Sequence, residues 1–350
     1  MLVTVTGGTG FVGSHSVAAL LRTGHQVRLL VRDESIVDVA LRPLGVDPGR
    51  VDVVVGDVLD ASTVAAAVRG ADAVLHAAAV YSFDSRQRDR MRRTTERGTE
   101  IVLGAARRSD VGRVVHVSTV AALFGKGVRV IGPDSPVGTL REPYLATKAA
   151  AERIARAHQD AGTPVAISYP PALLGPHDPR LGDQSARVRD VLRGLTPIWP
   201  TGGYPLGDVR DTAALHAAML TGSVSAGRHF GPGTYLSTKD YLRHLRAVTG
   251  RALPAVRLPA RALGPIGHAC DLLQRVWRWR LPVQYGAIHT CACATRVDDE
   301  VRTHPITARP VADTIADTVR WLHAAGHLTD RQAGRRAHPS ANRETTAAAA

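Results

Sequence analysis

The chain has 350 residues, 44% of them hydrophobic and 21% charged, which is the balance of a globular protein with room for one large α/β domain and a smaller lobe. Its formal net charge is +13, carried by scattered arginines with clusters at 86–93 and 275–280. No RNP-like, zinc-finger or helix-turn-helix signature accompanies them, so a nucleic-acid partner is not expected and the basic surface suits an anionic cofactor.

The first half alternates short apolar runs with helical patterns. Leu2–Thr6 is a β-branched run that meets glycines at once, and Phe11–Arg22 reads as a helix with apolar residues at 12, 17, 20 and 21. Further strands are expected at Gln26–Val31, Val51–Val55, Ala73–His76, Arg113–Ser118 and Val165–Tyr169, with helices at Ala61–Val68, Arg86–Arg108 and Glu142–Asp160. Such alternation implies right-handed crossovers and a parallel sheet covered on both faces. After Pro170 the rhythm loosens into Pro and Gly signals through Pro171–Gly207. Helices resume at Asp211–Leu220, Thr238–Thr249, Arg261–Arg280 and Val311–Ala325. The expected fold is therefore a doubly wound parallel (Rossmann) sheet over 1–170, a smaller mixed α/β lobe over 171–328 interleaved with it, and a disordered basic tail over 329–350.

Cys270, Cys291 and Cys293 form neither an even framework nor a zinc ligand set, so no metal site is expected and a reducing compartment fits. Met1 leads straight into a strand and no apolar run reaches the ~18 residues of a spanning helix, so a cytoplasmic protein is expected. Leu272–Arg280 mixes leucines, tryptophans and arginines. A lid helix over an apolar pocket is the preferred reading, with interfacial membrane contact through Trp277 and Trp279 the lesser one.

The glycine segment Thr6-Gly7-Gly8-Thr9-Gly10-Phe11-Val12-Gly13 follows a strand and opens a helix, the context of a pyrophosphate cradle. Gly7 permits the tight turn, Gly10 lets backbone approach the anion, and Gly13 allows close helix–strand packing, with Phe11 and Val12 opening the helix whose free N–H groups favour phosphate. Written TGGTGFVG, this variant resembles the extended short-chain dehydrogenase/reductase superfamily, and the resemblance covers most of residues 1–325. Membership of that superfamily implies a cofactor, a catalytic group and a reaction class.

For the cofactor, Val31 stands where NAD-type epimerases carry an Asp, and Arg32 follows it. A guanidinium suits the 2′-phosphate of NADP(H), so NADP(H) is preferred and NAD(H) is the alternative, with Asp33 and Glu34 as counter-evidence. By the same resemblance, Asp57 and Val58 match the adenine-edge contact, and Ala77 and Ala78 the small-residue turn beneath the cofactor. His76 reads as a strand-end packing residue. Thr95 takes the place of an Asn in relatives.

Tyr144 and Lys148 lie four residues apart on one helix face. A nearby ammonium favours a phenolate that would otherwise form only near pH 10. Ser118-Thr119 resembles the family's paired hydroxyls, the second of which does the chemistry, so Thr119 is the matched residue and Ser118 its understudy. Tyr169–Pro176 resembles the family's Arg-Pro segment, with Leu173 at the cofactor. In Asp208–Asp211 the last residue reads as a helix N-cap, and Arg210 as either an ion-pair partner or a reader of an anionic substrate.

The reaction implied by the resemblance passes hydride between nicotinamide and a small-molecule ketone, aldehyde or alcohol. Tyr144 moves the oxygen's proton, Thr119 bonds that oxygen and Lys148 tunes Tyr144. Val120-Ala121 stands where sugar 4,6-dehydratases carry an acidic pair. The Val-Arg-Asp strand ending resembles dihydroflavonol-4-reductase-like enzymes. A nucleotide-sugar epimerase is the second reading, and a non-catalytic dinucleotide sensor the third. A homodimer through the helices of 86–108 and 142–160 is a further implication.

Overall fold

The computed structural model describes residues 1–274, 285–298 and 304–334. The strands over the large sheet are β1 (Leu2–Thr6), β2 (Gln26–Val31), β3 (Val51–Val55), β4 (Ala73–His76) and β5 (Arg113–Val117). After the short β6 (Val130–Ile131) the sheet is continued by β7 (Val165–Tyr169). The smaller lobe adds β8 (Ala172–Leu174), β9 (Ile198–Pro200) and β10 (Gly203–Asp208), before β11 (Arg228–Phe230) returns to the large sheet. Then come β12 (Thr234–Ser237), β13 (Val256–Leu258) and β14 (Arg296–Val297).

The large sheet has seven strands in the order β3-β2-β1-β4-β5-β7-β11, and every neighbouring pair is parallel. Its strands are apolar on both sides because helices cover both faces. One face carries α1 (Phe11–Arg22) and α2 (Ser35–Leu41). The other carries α3 (Ala61–Val68), α4 (Arg88–Arg92), α5 (Gly98–Arg108) and α6 (Pro143–Asp160). The helix expected over 86–108 is α4 and α5 joined by a π turn at Arg93–Arg97. Leu103, Val114, Leu145 and Ile167 belong to one core cluster. Val5, Leu20, Leu29 and Leu215 belong to the other.

The small lobe is built from α7 (Asp183–Leu192), α9 (Thr238–Thr249), α10 (Ala260–Gln274), α11 (Tyr285–Cys293) and α12 (Val311–Ala324), while α8 (Val209–Thr221) lies against α1. Its sheet runs β12-β10-β8, antiparallel then parallel. Trp199, Leu206, Tyr241, Leu245 and Ile315 form its core. A polar tie crosses the α1–α8 contact: Ser16 Oγ meets His216 Nδ1 at 2.9 Å, and His216 Nε2 meets Ser168 Oγ at 3.0 Å.

Three details depart from expectation. The helix expected from Asp211 begins at Val209, and its N-cap is Asp208, which accepts from the Arg210 N–H. Asp211 instead accepts from the Arg309 backbone N–H at 2.7 Å. The region 171–207, read as loop, holds β8, α7, β9 and most of β10. The tail expected to be disordered from 329 opens with α13 (Asp330–Ala333), capped by a reciprocal Thr329–Gln332 pair.

Candidate active site

The strand order reverses between β1 and β4, the point at which open α/β sheets hold ligands beyond their carboxyl ends. Here the turn after β1 is shaped by glycine. Gly7 adopts φ +75°, and a Cβ there would stand 2.7 Å from the Ala77 carbonyl carbon and the Ala78 nitrogen. A Cβ on Gly13 would collide with the Gly7 carbonyl. The smallness of Gly13 therefore lets the loop fold onto the first turn of α1, rather than serving helix–strand packing as expected. Gly10 caps α1 with no side-chain bond and no acidic residue follows in the first turn, so the opening N–H groups stay available to an anion.

These turns open into a cleft of about 910 Å³. All the expected site residues line it: Gly7, Gly10, Phe11, Val12, Gly13, Arg32, Asp57, Val58, Ala77, Ala78, Thr119, Tyr144, Lys148 and Leu173. In sheet order the lining runs from Asp57 after β3 and Arg32 after β2, past the glycine turn, to Thr119 after β5. A cradle that admits no side chain, free helix N–H groups and a cation at the far end fit a dinucleotide.

Arg32 is exposed at the lip and forms no ion pair among the described residues. Asp33, beside it, is absent from the lining. Its Oδ1 accepts from the Ser35 N–H at 3.0 Å and the Ser35 hydroxyl at 2.6 Å, and those bonds hold its carboxyl below the usual range. Asp57 accepts from the Leu59 N–H at 2.9 Å.

At the other end, Glu142 caps α6 through the Leu145 N–H and Pro143 follows in the first turn, which fixes where Tyr144 and Lys148 emerge. Tyr144, Thr119 and Lys148 are 6%, 9% and 8% exposed. The Thr119 hydroxyl makes only long bonds, to the Pro170 carbonyl and from the Ala121 N–H, both at 3.3 Å. Ser118 also lines the cleft, but its hydroxyl donates to Glu152 Oε2 at 2.7 Å. Glu152 is fully buried, and its Oε1 accepts from Tyr169 Oη at 2.6 Å and Arg156 Nε at 2.7 Å.

Burial, then the neighbouring Tyr81 phenol, push the Tyr144 phenol far above its ordinary value; the nearby Thr119 hydroxyl opposes them. The expectation that the Lys148 ammonium would hold it low is thus outweighed by desolvation in the protein alone. Burial lowers the Lys148 ammonium to about 8, against the pull of Glu152.

His76 is buried between Thr6 Oγ1, at 2.7 Å, and Thr99 Oγ1, at 3.2 Å, and does not line the cleft. Thr95 is buried in the π turn with its hydroxyl unbonded, while Thr94 reaches the cleft. Arg210 is held by Asp208 and Asp317, each at 2.7 Å, and is away from the cleft.

Sequence reasoning missed the wall facing Tyr144. Tyr81 and Phe83 pack edge-on against the Tyr144 ring, at 5.0 and 5.3 Å between centroids. Arg187 on α7, Tyr204 on β10 and Cys291 on α11 complete it. The apolar spacing of Val188, Val191 and Leu192 was the available signal for α7. The tryptophans at 277 and 279 lie outside the described residues. Among the described residues no helix is long and apolar enough to cross a membrane, and no three His, Cys, Asp or Glu side chains gather as a metal site would need.

Comparison with known proteins identifies the family. A sequence model of the NAD dependent epimerase/dehydratase family matches residues 3–231. A putative dihydroflavonol 4-reductase of Synechocystis sp. is 32% identical over 342 residues, covering 93% of this chain and 95% of that protein. A 2-alkyl-3-oxoalkanoate reductase of Stenotrophomonas maltophilia is 31% identical over 301 residues, 80% of this chain and 85% of the relative. Among solved structures, a double mutant of a dTDP-glucose 4,6-dehydratase from Streptomyces venezuelae with NAD bound superposes with a TM-score of 0.72 at 26% identity, covering 92% of this chain and 97% of that one. The chain belongs to the NAD dependent epimerase/dehydratase family and is an oxidoreductase of that family.

Proposed function

We propose that this protein is an NADP(H)-dependent reductase of a small-molecule ketone or aldehyde, able to run the reverse oxidation of the alcohol. The observation that carries the reading is the meeting of Thr119, Tyr144 and Lys148 in one cleft with the glycine turn. The bound dinucleotide would supply or accept the hydride. The chain's own residues do the rest. Tyr144, kept protonated by its burial, gives its proton to the substrate oxygen during reduction. Thr119, whose own hydrogen bonds are long, has a hydroxyl to offer that same oxygen. Lys148 brings positive charge beside the phenol and eases proton loss from it in the oxidative direction.

NADP(H) is favoured over NAD(H) because Arg32 lines the cleft without a carboxylate partner among the described residues, while Asp33 is tied to Ser35. Reduction is favoured over sugar dehydration because Val120 and Ala121, both buried, follow Thr119 where that chemistry would need acids. The names of the two relatives above, both reductases, support the same direction. The test is oxidation of NADPH followed optically with a panel of ketones and aldehydes. Tyr144→Phe should lower turnover by roughly 10²–10⁴-fold, the usual worth of a positioned acid. Turnover unchanged in that variant would overturn the reading.

A further inference from the structure

The wall facing Tyr144 contains a cation with no ion-pair partner among the described residues. Arg187 projects from α7 into the cleft, enclosed by the phenols of Tyr81, Tyr204 and Tyr241 and the thiol of Cys291. Its charge is permanent, because a guanidinium does not lose its proton in a protein. The acids of the lining on that side are otherwise placed: Asp178 accepts from Ser185 Oγ and the Gly182 N–H, both at 2.8 Å, and Asp183 bears on the Tyr81 phenol. A cation held among phenols and a thiol, with no carboxylate in ion-pair contact, is costly unless an anion completes it.

Two further observations say what kind of anion. Tyr204 lines the cleft beside Arg187, and its buried hydroxyl faces Tyr241 without making a well-formed hydrogen bond. A guanidinium fork and one spare O–H donor suit the two oxygens of a carboxylate. With Asp183 close by, the local charge suits one negative charge rather than the two of a diphosphate. The place is also tied to the chemistry: Gln184, one turn before Arg187, reaches the Tyr81 hydroxyl at 3.4 Å, and the Tyr81 ring is 5.0 Å from that of Tyr144.

We propose that Arg187 and Tyr204 form the seat for a carboxylate on the substrate, making the preferred substrates oxo-carboxylic acids. The place of the oxo group rests on the reductase reading above; the anion seat does not.

The test uses the full chain in the presence of NADP⁺. Hexanoate and hexanamide are titrated by calorimetry into the wild type, Arg187→Met, Arg187→Lys and Tyr204→Phe, with circular dichroism on each variant. Hexanoate should bind at least ~10-fold tighter than the amide in the wild type. The preference should vanish in Arg187→Met, survive in part in Arg187→Lys and weaken several-fold in Tyr204→Phe. Equal binding of acid and amide to the wild type, or an acid preference that persists in Arg187→Met, overturns the seat. Should Arg187→Met fail to fold, loss of preference in Tyr204→Phe supports the seat and an unchanged preference there overturns it. Turnover separates the two readings. A wild type that reduces neutral ketones with no gain for oxo acids over their methyl esters overturns the seat and leaves the reductase standing. Carboxylate binding without any turnover does the reverse.

Discussion

Ser118 donates its hydroxyl to Glu152 at 2.7 Å, while its neighbour Thr119 turns toward the cleft with only two 3.3 Å bonds of its own. Two adjacent hydroxyls at the end of β5 thus have different work. Thr119→Val should lower kcat/KM by about 10²–10³-fold, as loss of an oriented donor does. Ser118→Ala should lower it by less than about tenfold. Parallel steady-state kinetics on the two variants check this, and equal losses would contradict it.

Glu152 is the centre that keeps Ser118 occupied. It is fully buried and takes three donors, Ser118, Tyr169 and Arg156, of which the last is its ion-pair partner. Glu152→Gln places an amide N–H against one of these donors and leaves Arg156 uncompensated. The expected loss is about 3 kcal/mol of stability, the scale of a broken buried pair. The shift in urea midpoint measures it. A loss below about 1 kcal/mol would mean that water reaches the site.

Arg32 and Asp33 supply a cofactor prediction. Because Ser35 occupies the Asp33 carboxylate, no acid replaces Arg32 at the lip when it is removed. Arg32→Ala should weaken NADPH binding by about 10- to 100-fold, the worth of a charge-assisted bond, and leave NADH within a few-fold. Fluorescence titration with both nucleotides decides it, and equal weakening of the two would reject the 2′-phosphate role.

Much of the large sheet was legible because its strands are short apolar runs punctuated by glycine. The cradle was legible because Gly7 and Gly13 are demanded by backbone collisions that no other residue escapes. The small lobe was harder for the same reason turned round. Gly203 and Gly207 look like loop signals, yet in β10 they let the Leu236 and Pro232 carbonyls come close. Asp211 suits an N-cap by residue type alone, yet the register of α8 gives that role to Asp208. The setting of Arg187 was beyond reach, since its neighbours come from the loop after β4, from β10, from α9 and from α11. No spacing along the chain encodes that meeting.

Lys148 carries the last prediction, which concerns pH. Its folded value, about 8, lies below the ordinary 10.5 of a lysine in water. Below pH 8 the lysine is protonated in both states, and the native protein bears the full cost of a buried ammonium. Between about 8 and 10.5 the unfolded chain still binds the proton that the native state has shed, so stability from this group rises with pH across that window. Above 10.5 both states are neutral and the contribution is constant. Lys148→Met removes the titration and keeps the volume. The variant should therefore be more stable than the wild type at pH 7, by up to about 3 kcal/mol. That advantage should shrink as pH climbs through the window. Urea denaturation of the pair at pH 7, 9 and 10.5 isolates the effect, because every other titrating group is common to both proteins. A constant difference across those pH values would place the Lys148 ammonium in water rather than in the cleft wall.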